Sequence, residues 1–398
     1  MKERSTDNVA VGFCFKDFAY WTGYSSVGLN VAAVTTAEEL KRHGTPTYLM
    51  GVRDNIGLLD SVMYANGIRQ KQGLGPLTDV IIMAPWITPL DLGAILQYFP
   101  DIRFTVQGHC NVAAIYGDHR GMGNFRNYAD MTFDYPNLML AGNSEPFVSW
   151  FTEAYGVNTY LLPDLYPIGK HHHHGDDKPR VPETDGSLRI GAFGALRPEK
   201  NIPSACAAAL LIQERLGLPV SFHLNVGGER VGREILAMID QMSQGIPNFT
   251  VIKHKWLPWS EFNGLVKTMD LLIQPSFTES FNLVTADGIQ HRVPTVVSNA
   301  IPWAPDSWKA NPDRPTEIAK VGIRLLRDPK SWEKGRDALL AHNKRGVKLW
   351  REFLYDRDPV PFPLPPEYTE GERQGWFNRF FHHLRPVVTK KLGLDRLG

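Results

Sequence analysis

The stretch QPSFTESFNLVTADGIQHRVPTVVS, residues 274–298, concentrates more chemistry than any other part of the chain. It reads as a strand ending at Pro275 and Ser276, a loop carrying Glu279, a helix from about Asn282 to His291, and a second short strand at 295–298. Asp287 lies inside that helix, with seven residues between it and Glu279. Backbone N–H groups at such a helix start, here Ser280, Phe281, Asn282, Leu283 and Val284, combine with the helix dipole to receive an anion such as a diphosphate. A carboxylate just before the helix is placed to reach sugar hydroxyls, and one a turn and a half inside it to reach a ribose. Either acid alone reads sooner as a dipole-stabilising or solvated side chain.

Upstream, IGAFGALRPEKNIPSA (190–205) again runs from strand to glycine loop to helix. It sets Gly194, Arg197 and Lys200 where two cations meet a diphosphate; alone it fits an ordinary surface loop with solvated charges. Around these segments the chain alternates strand-like and helix-like patterns. Strands are expected at 9–15, 47–52, 79–84, 103–107 and 138–141, then at 188–195, 221–227, 249–253, 270–276 and 295–298. The helix carrying Leu29, Ala33, Ala37 and Leu40 on one face, and another with Ala205, Ala208, Ala209, Ile212 and Leu216, show the 3.6-residue period. Residues 320–355 read as helical. Short apolar strands separated by helices predict an α/β fold with parallel sheets covered on both faces.

The segment PIGKHHHHGDDKPRVPETDG (167–186) breaks the alternation with proline, glycine and charge. It reads as an interdomain linker, with His171–His174 solvated within it. The expected organisation is a domain at 1–166, the linker at 167–186, a second domain at 187–340 and, at 341–398, a C-terminal helix with a basic, aromatic tail that crosses back to the first domain.

Composition narrows the class. Of 398 residues, 43% are hydrophobic and 21% charged, which supports large cores and excludes global disorder. Lys plus Arg total 43 against 42 for Asp plus Glu, a formal charge of +1 that excludes a polybasic protein but not a local basic groove. No apolar run approaches the roughly 20 residues of a membrane helix, and MKERSTDNVAVGF has no leader-like apolar core. Cys14, Cys110 and Cys206 form no CxxC pair, which predicts reduced thiols, a cytoplasmic location and no cysteine-built zinc site.

Taken together, the two segments resemble the C-terminal, donor-binding domain of the large retaining glycosyltransferase family with the GT-B fold, the family-4-like group that includes many sucrose, glycogen and lipopolysaccharide synthases. The matching residues are Gly194, Leu196, Lys200 and Asn201, then Pro275, Ser276, Glu279, Phe281, Leu283, Pro294, Val296 and Val297. The resemblance covers about residues 187–300 and extends to the N-terminal half only in architecture. It implies two Rossmann-like domains facing each other across a cleft. It also implies transfer of a hexose from a nucleoside-diphosphate sugar, a UDP-sugar by preference, to a hydroxyl. Lys200, Arg197 and the helix start at Leu283 are then expected to stabilise the leaving diphosphate. Glu279 orients the sugar and Asp287 the ribose, while Trp256 stands in the loop that meets the nucleobase. The leaving phosphate takes the acceptor proton. No cofactor and no metal are implied: the chain has no DxD at a strand end, and Lys with Arg can replace magnesium.

In the N-terminal half, His109 follows the strand RFTVQG and occupies the place of a histidine that faces the transferred sugar in the family; a strand-end histidine bonded to backbone reads the same way. Tyr24, Ser25 and Ser26 fall at the position of the glycine-containing loop that helps cover donor and acceptor in the family, a loop that any α/β domain also has at this place. The segment HRGMGNFRNYAD (119–130) reads as a basic, aromatic loop that suits a phosphate-bearing or stacked acceptor, with Arg120 and Arg126 beside Phe125 and Tyr128 on the acceptor side, although such loops are more often ordinary surface. The sequence departs from the family pattern at Asp287 (usually Glu), at Asn282 and Arg292 (usually Gly) and at Ala195 (usually Arg).

The acceptor stays open among a glycan, a lipid-linked saccharide, a small metabolite and a nucleic acid. A hydroxymethylated base in bacteriophage DNA is the sharpest of these, given the tail RQGWFNRFFHHLRPVVTKKLGLDRLG (373–398). The same tail suits an anionic membrane surface or the N-terminal domain itself. A nucleotide-sugar epimerase of the same fold and a non-catalytic nucleotide-sugar binder also fit. A dinucleotide dehydrogenase does not, because no G-x-G-x-x-G links a strand to a helix.

Overall fold

The computed structural model describes residues 9–16, 27–109, 111, 119–169, 186–226, 230–356 and 358–363. The expectations for Tyr24, Ser25, Ser26, Cys110, His171–His174 and the tail from residue 364 lie outside the described residues.

Two all-parallel sheets organise the chain. The first has six strands in the order β2-β1-β3-β4-β5-β6, namely β1 Val11–Lys16, β2 Thr47–Val52, β3 Asp79–Met83, β4 Arg103–Gly108, β5 Leu138–Gly142 and β6 Thr159–Leu161. The second has five in the order β11-β10-β7-β8-β9, namely β7 Leu188–Ala192, β8 Val220–Asn225, β9 Phe249–His254, β10 Leu271–Gln274 and β11 Thr295–Val297. Parallel neighbours need crossovers, and helices supply them on both faces. Every residue of β3 and β4 is consequently buried.

Helix α1 (Val27–Arg42) turns Ala33, Ala37 and Leu40 into the core and ends on Lys41 and Arg42, cations at the negative end of its dipole. Two crossover helices, α2 (Asn55–Lys71) and α3 (Pro89–Tyr98), follow. Residues 119–131, expected as a loop, form helix α4 (His119–Met131). Its two glycines and many polar residues mask the period, yet Phe125, Tyr128 and Ala129 recur at helical spacing and are fully buried against Phe147 and Phe151 of α5 (Glu145–Tyr155). Phe125 and Tyr128 are therefore core residues and not stacking surfaces for an acceptor.

In the second domain α6 (Ile202–Leu216), α7 (Arg230–Ser243), α8 (Trp259–Lys267) and α9 (Leu283–Gln290) cover the sheet. The expected helical run at 320–355 is two helices, α10 (Pro315–Arg327) and α11 (Ser331–Tyr355). Pro329 has no N–H to continue the first and disfavours helical geometry at Asp328 before it.

The chain crosses between the domains twice, in contact with itself. Residues 162–169 run from β6 toward the second sheet, and α11 runs the other way, with Leu339 in the second core and Val347, Trp350, Phe353 and Leu354 in the first. The expected boundary at residue 340 thus falls inside a continuous helix. Asn343 of α11 holds the backbone of Tyr166 at both ends, donating to its carbonyl (2.7 Å) and accepting from its N–H (3.2 Å). Trp350 donates to the Pro163 carbonyl at 2.8 Å. A Cβ at Gly346 would stand 2.4 Å from Leu165 Cδ2, so any larger residue there would push the buried Leu165 side chain aside. Among the described residues no helix is long and apolar enough to cross a membrane.

Candidate active site

The two segments that decided the sequence reading meet at the carboxyl edge of the second sheet. Lys200 closes a short 3₁₀ turn (Pro198–Lys200), and its Nζ lies 2.7 Å from Glu279 Oε1. Ser276 Oγ and Asn282 Nδ2 donate to the same Oε1, each at 2.8 Å. Among the described residues Oε2 receives no hydrogen bond, so three donors fix the carboxylate while its second oxygen remains for a ligand hydroxyl. The loops are also joined through backbone: Phe277 N–H donates to the Glu199 carbonyl at 2.8 Å, and Asn201 Nδ2 to the carbonyls of Pro275 and Pro312. The Lys200 side chain is 25% exposed and Glu279 7%, so this charge pair is largely withdrawn from water and open on the lysine's side.

Gly194 has φ +127°, a conformation open to glycine alone, and a Cβ there would meet nothing within 4 Å. Its N–H is held by Asn225 Oδ1 at 3.2 Å. Backbone at this bend can approach a diphosphate closely. Arg197, exposed, stands just before the 3₁₀ turn as its N-cap.

The departures at the two glycine positions have a physical account. Asn282 takes φ +70°, the conformation glycine would take, and uses its side chain as the N-cap of α9 (Thr285 N to Oδ1 2.9 Å) while its amide steadies Glu279. Arg292 likewise has φ +60°, and its guanidinium lies 5.1 Å from the Trp332 ring centroid. At the start of α9 the N–H groups of Leu283 and Val284 have no carbonyl behind them within the helix. Ser280, Leu283 and Val284 are half-buried, whereas Phe281 is buried, stacked on Trp303 (centroids 5.3 Å) with its carbonyl accepting from Trp303 Nε1.

Asp287 is placed differently from the ribose contact expected of it. It is 2% exposed, and Oδ1 accepts from Tyr166 Oη (2.6 Å) in the domain crossing and from Trp259 Nε1 (3.0 Å) at the start of α8. Burial pushes its carboxyl up to about 6, and the bonds from Tyr166, Trp259 and Asn263 pull part of that shift back. The loop before α8, residues 255–258, carries the half-buried Trp256.

On the first domain, His109 follows β4, Asn143 follows β5 and Asp164 follows β6, so parallel order brings three distant residues to one edge. His109 Nδ1 lies 3.4 Å from Asp164 Oδ1 and 3.3 Å from Asn143 Nδ2, and Asn143 Nδ2 donates to Asp164 Oδ2 at 2.7 Å. His342 of α11 joins this edge to the other domain: its Nε2 is 2.9 Å from the Asp164 carbonyl, and its ring lies 5.2 Å from Phe281. The carboxyl edges of both sheets therefore meet at His342. Arg126 does not join them. It is exposed, and its charge acts on Asp130 and on Tyr155, the last residue of α5, toward the opposite edge of the sheet. Arg120 lies in the first turn of α4. Among the described residues no three His, Cys, Asp or Glu side chains form a metal-binding group.

An imidazole pair borders the loop that carries Trp256. His223 Nδ1 and His254 Nε2 are 2.9 Å apart, the rings stacked at 5.2 Å. Burial, then the His254 and Arg189 charges, push His223 down to about 4, and burial lowers His254 too. Both imidazoles titrate near 6.5 when unfolded, so their contribution to stability is complete above that pH and is lost as the pH falls below it, for His223 down through about 4. Asp287 has the opposite sign. Its folded value near 6 exceeds the unfolded 3.8, so its burial costs stability above pH 6 and that cost fades toward pH 4. Asp287→Asn, which keeps an oxygen for Tyr166 and Trp259, removes only the second effect. Its melting temperature is expected to fall more than that of the native chain between pH 7 and pH 4.5; parallel curves would contradict this.

Solved structures share this architecture. TarM from S. aureus, in complex with fondaparinux, alpha-GlcNAc-glycerol and UDP, matches at a TM-score of 0.51 and 15% identity over 70% of this chain, which spans 55% of TarM. The trehalose-6-phosphate synthase OtsA matches at a TM-score of 0.57 and 10% identity, covering 88% of this chain and 100% of OtsA. HepE from Anabaena, in complex with UDP-glucose, matches at a TM-score of 0.54 and 14% identity, covering 85% and 99%. No protein-family model and no curated protein sequence matches the chain. At these identities the likeness shows the fold, which is GT-B.

Proposed function

We propose that the protein is a retaining glycosyltransferase that moves a hexose from a UDP-sugar to a hydroxyl acceptor. The observation that carries this reading is the Lys200–Glu279 pair, held at 2.7 Å between Gly194 and the start of α9. The UDP and UDP-glucose present in structures of the same fold support the choice of donor.

The diphosphate rests against the open backbone at Gly194, the Lys200 ammonium, Arg197 and the N–H groups of Leu283 and Val284. These groups stabilise negative charge as it grows on the leaving phosphate, held in place by a fixed turn and a helix start. Glu279, its Oε1 saturated, orients the sugar through Oε2. The leaving phosphate takes the acceptor proton, so no protein base is required. Asp287 serves the donor from behind: through Tyr166 and Trp259 it ties the domain crossing to α8 and so sets the loop carrying Trp256 for the nucleobase.

The test is a hydrolysis screen with UDP-, GDP- and ADP-sugars. Release of UDP from one UDP-sugar, well above release from the other nucleotides, is expected. Turnover of none of them would remove the enzymatic reading, and interconversion of two nucleotide sugars without nucleotide release would mark an epimerase.

A further inference from the structure

Asn225 is the last residue of β8, at the carboxyl edge of the second sheet, and is 2% exposed. Its Oδ1 accepts from the Gly194 N–H at 3.2 Å. That bond fixes the orientation of the amide, because the flipped group would set its own N–H against the N–H of Gly194. Nδ2 is then the free end: it is buried and has no hydrogen-bond partner among the described residues. A buried donor left without a partner is costly, which marks a group kept for a ligand. The surrounding backbone holds the side chain in place. β8 lies between β7 and β9. On the β9 side Asn225 pairs in register with His254, whose carbonyl accepts from the Val226 N–H at 2.7 Å.

The strand order says which part of a nucleotide this donor meets. Gly194, after β7, is the bend against which the diphosphate rests, and His254, the end of β9, leads into residues 255–258 with Trp256 for the nucleobase. In a nucleoside diphosphate the ribose joins those two parts, and Asn225 stands between the two strand ends. The two ends of a planar amide diverge, so with Oδ1 turned to Gly194 the Nδ2 end is directed away from the diphosphate bend. We propose that Asn225 binds the ribose of the donor, its Nδ2–H donating to a ribose hydroxyl oxygen while Oδ1 keeps Gly194 in place. Asp287 is engaged by Tyr166 and Trp259, so the ribose contact falls to a residue on a different strand. A hydroxyl oxygen accepts the bond that a deoxy carbon cannot. This rests on the reading of the site as one for a UDP-sugar.

The experiment titrates UDP, 2′-deoxy-UDP and 3′-deoxy-UDP calorimetrically into the native full chain and into Asn225→Ala, with thermal unfolding as the control for folding. At least one deoxy analogue is expected to bind the native protein about 5- to 10-fold more weakly than UDP, the usual loss for one hydrogen bond. In Asn225→Ala the same comparison should shrink to about twofold or less, because the hydroxyl no longer has its donor. Loss of the Gly194 bond lowers the affinity for all three ligands alike and cancels from the ratio, so a merely structural role leaves the discrimination at its native value. Equal discrimination in the two proteins, or none by the native protein, overturns the proposal. Should Asn225→Ala not fold, Asn225→Val, an apolar side chain suited to a strand, replaces it in the same comparison. A native chain that binds none of the three ligands refutes the nucleotide site itself, whereas UDP binding with unchanged ratios refutes only the role of Asn225.

Discussion

Lys200→Ala is expected to lower donor turnover by about 100- to 1,000-fold, the usual loss when one preorganised electrostatic partner of a developing anion is removed. The ammonium lies 2.7 Å from Glu279 and belongs to a loop anchored by Asn201 and Glu199, so it reaches a bound diphosphate without reorganising. The variant should fold normally. At 25% exposure the lysine site readmits water, and Glu279 keeps its bonds from Ser276 and Asn282. Nucleotide release from the preferred UDP-sugar measures the effect, with thermal unfolding as control. Turnover within twofold of native would remove Lys200 from the site.

The largest loss of stability is expected away from the site, at Arg103. Its Nε donates to Asp79 Oδ1 at 2.6 Å, with side chains 5% and 0% exposed. The same guanidinium donates to the Phe353 carbonyl at 2.7 Å, near the last turn of α11, and lies 4.2 Å from the Phe353 ring centroid. One cation thus joins β3, β4 and the negative end of the helix that returns to the first domain. Arg103→Met leaves the buried Asp79 carboxylate without its cation, which costs about 3–5 kcal/mol, or on the order of 10 °C in melting temperature. Arg103→Met with Asp79→Leu should recover much of that, because two apolar groups of similar volume leave no buried charge. Equal destabilisation of the single and double variants would show that packing, not charge, is lost.

How far the chain could be read without its structure differed by feature. β3 is visible because a strand buried on both faces is a nearly continuous apolar run, here VIIM after Asp79. Helix α4 is not, because two glycines and many polar residues hide the three or four that are buried. The Lys200–Glu279 pair was legible because each residue follows a strand end and precedes a helix, a local arrangement that fixes where the side chain goes. His109, Asn143 and Asp164 were not legible as a group: they are adjacent only because β4, β5 and β6 lie side by side. The partners of Asp287 were not legible for the same kind of reason, since Tyr166 and Trp259 come from a domain crossing and a separate helix.

The central claim is that a nucleoside diphosphate binds at Lys200 and the start of α9. Calorimetric titration of UDP into the native chain and into Lys200→Ala tests it without an acceptor. Saturable binding to the native protein, weakened at least about tenfold in the variant as loss of a charge-assisted contact requires, is the expected result. No binding of UDP, or equal affinity in both proteins, would contradict it.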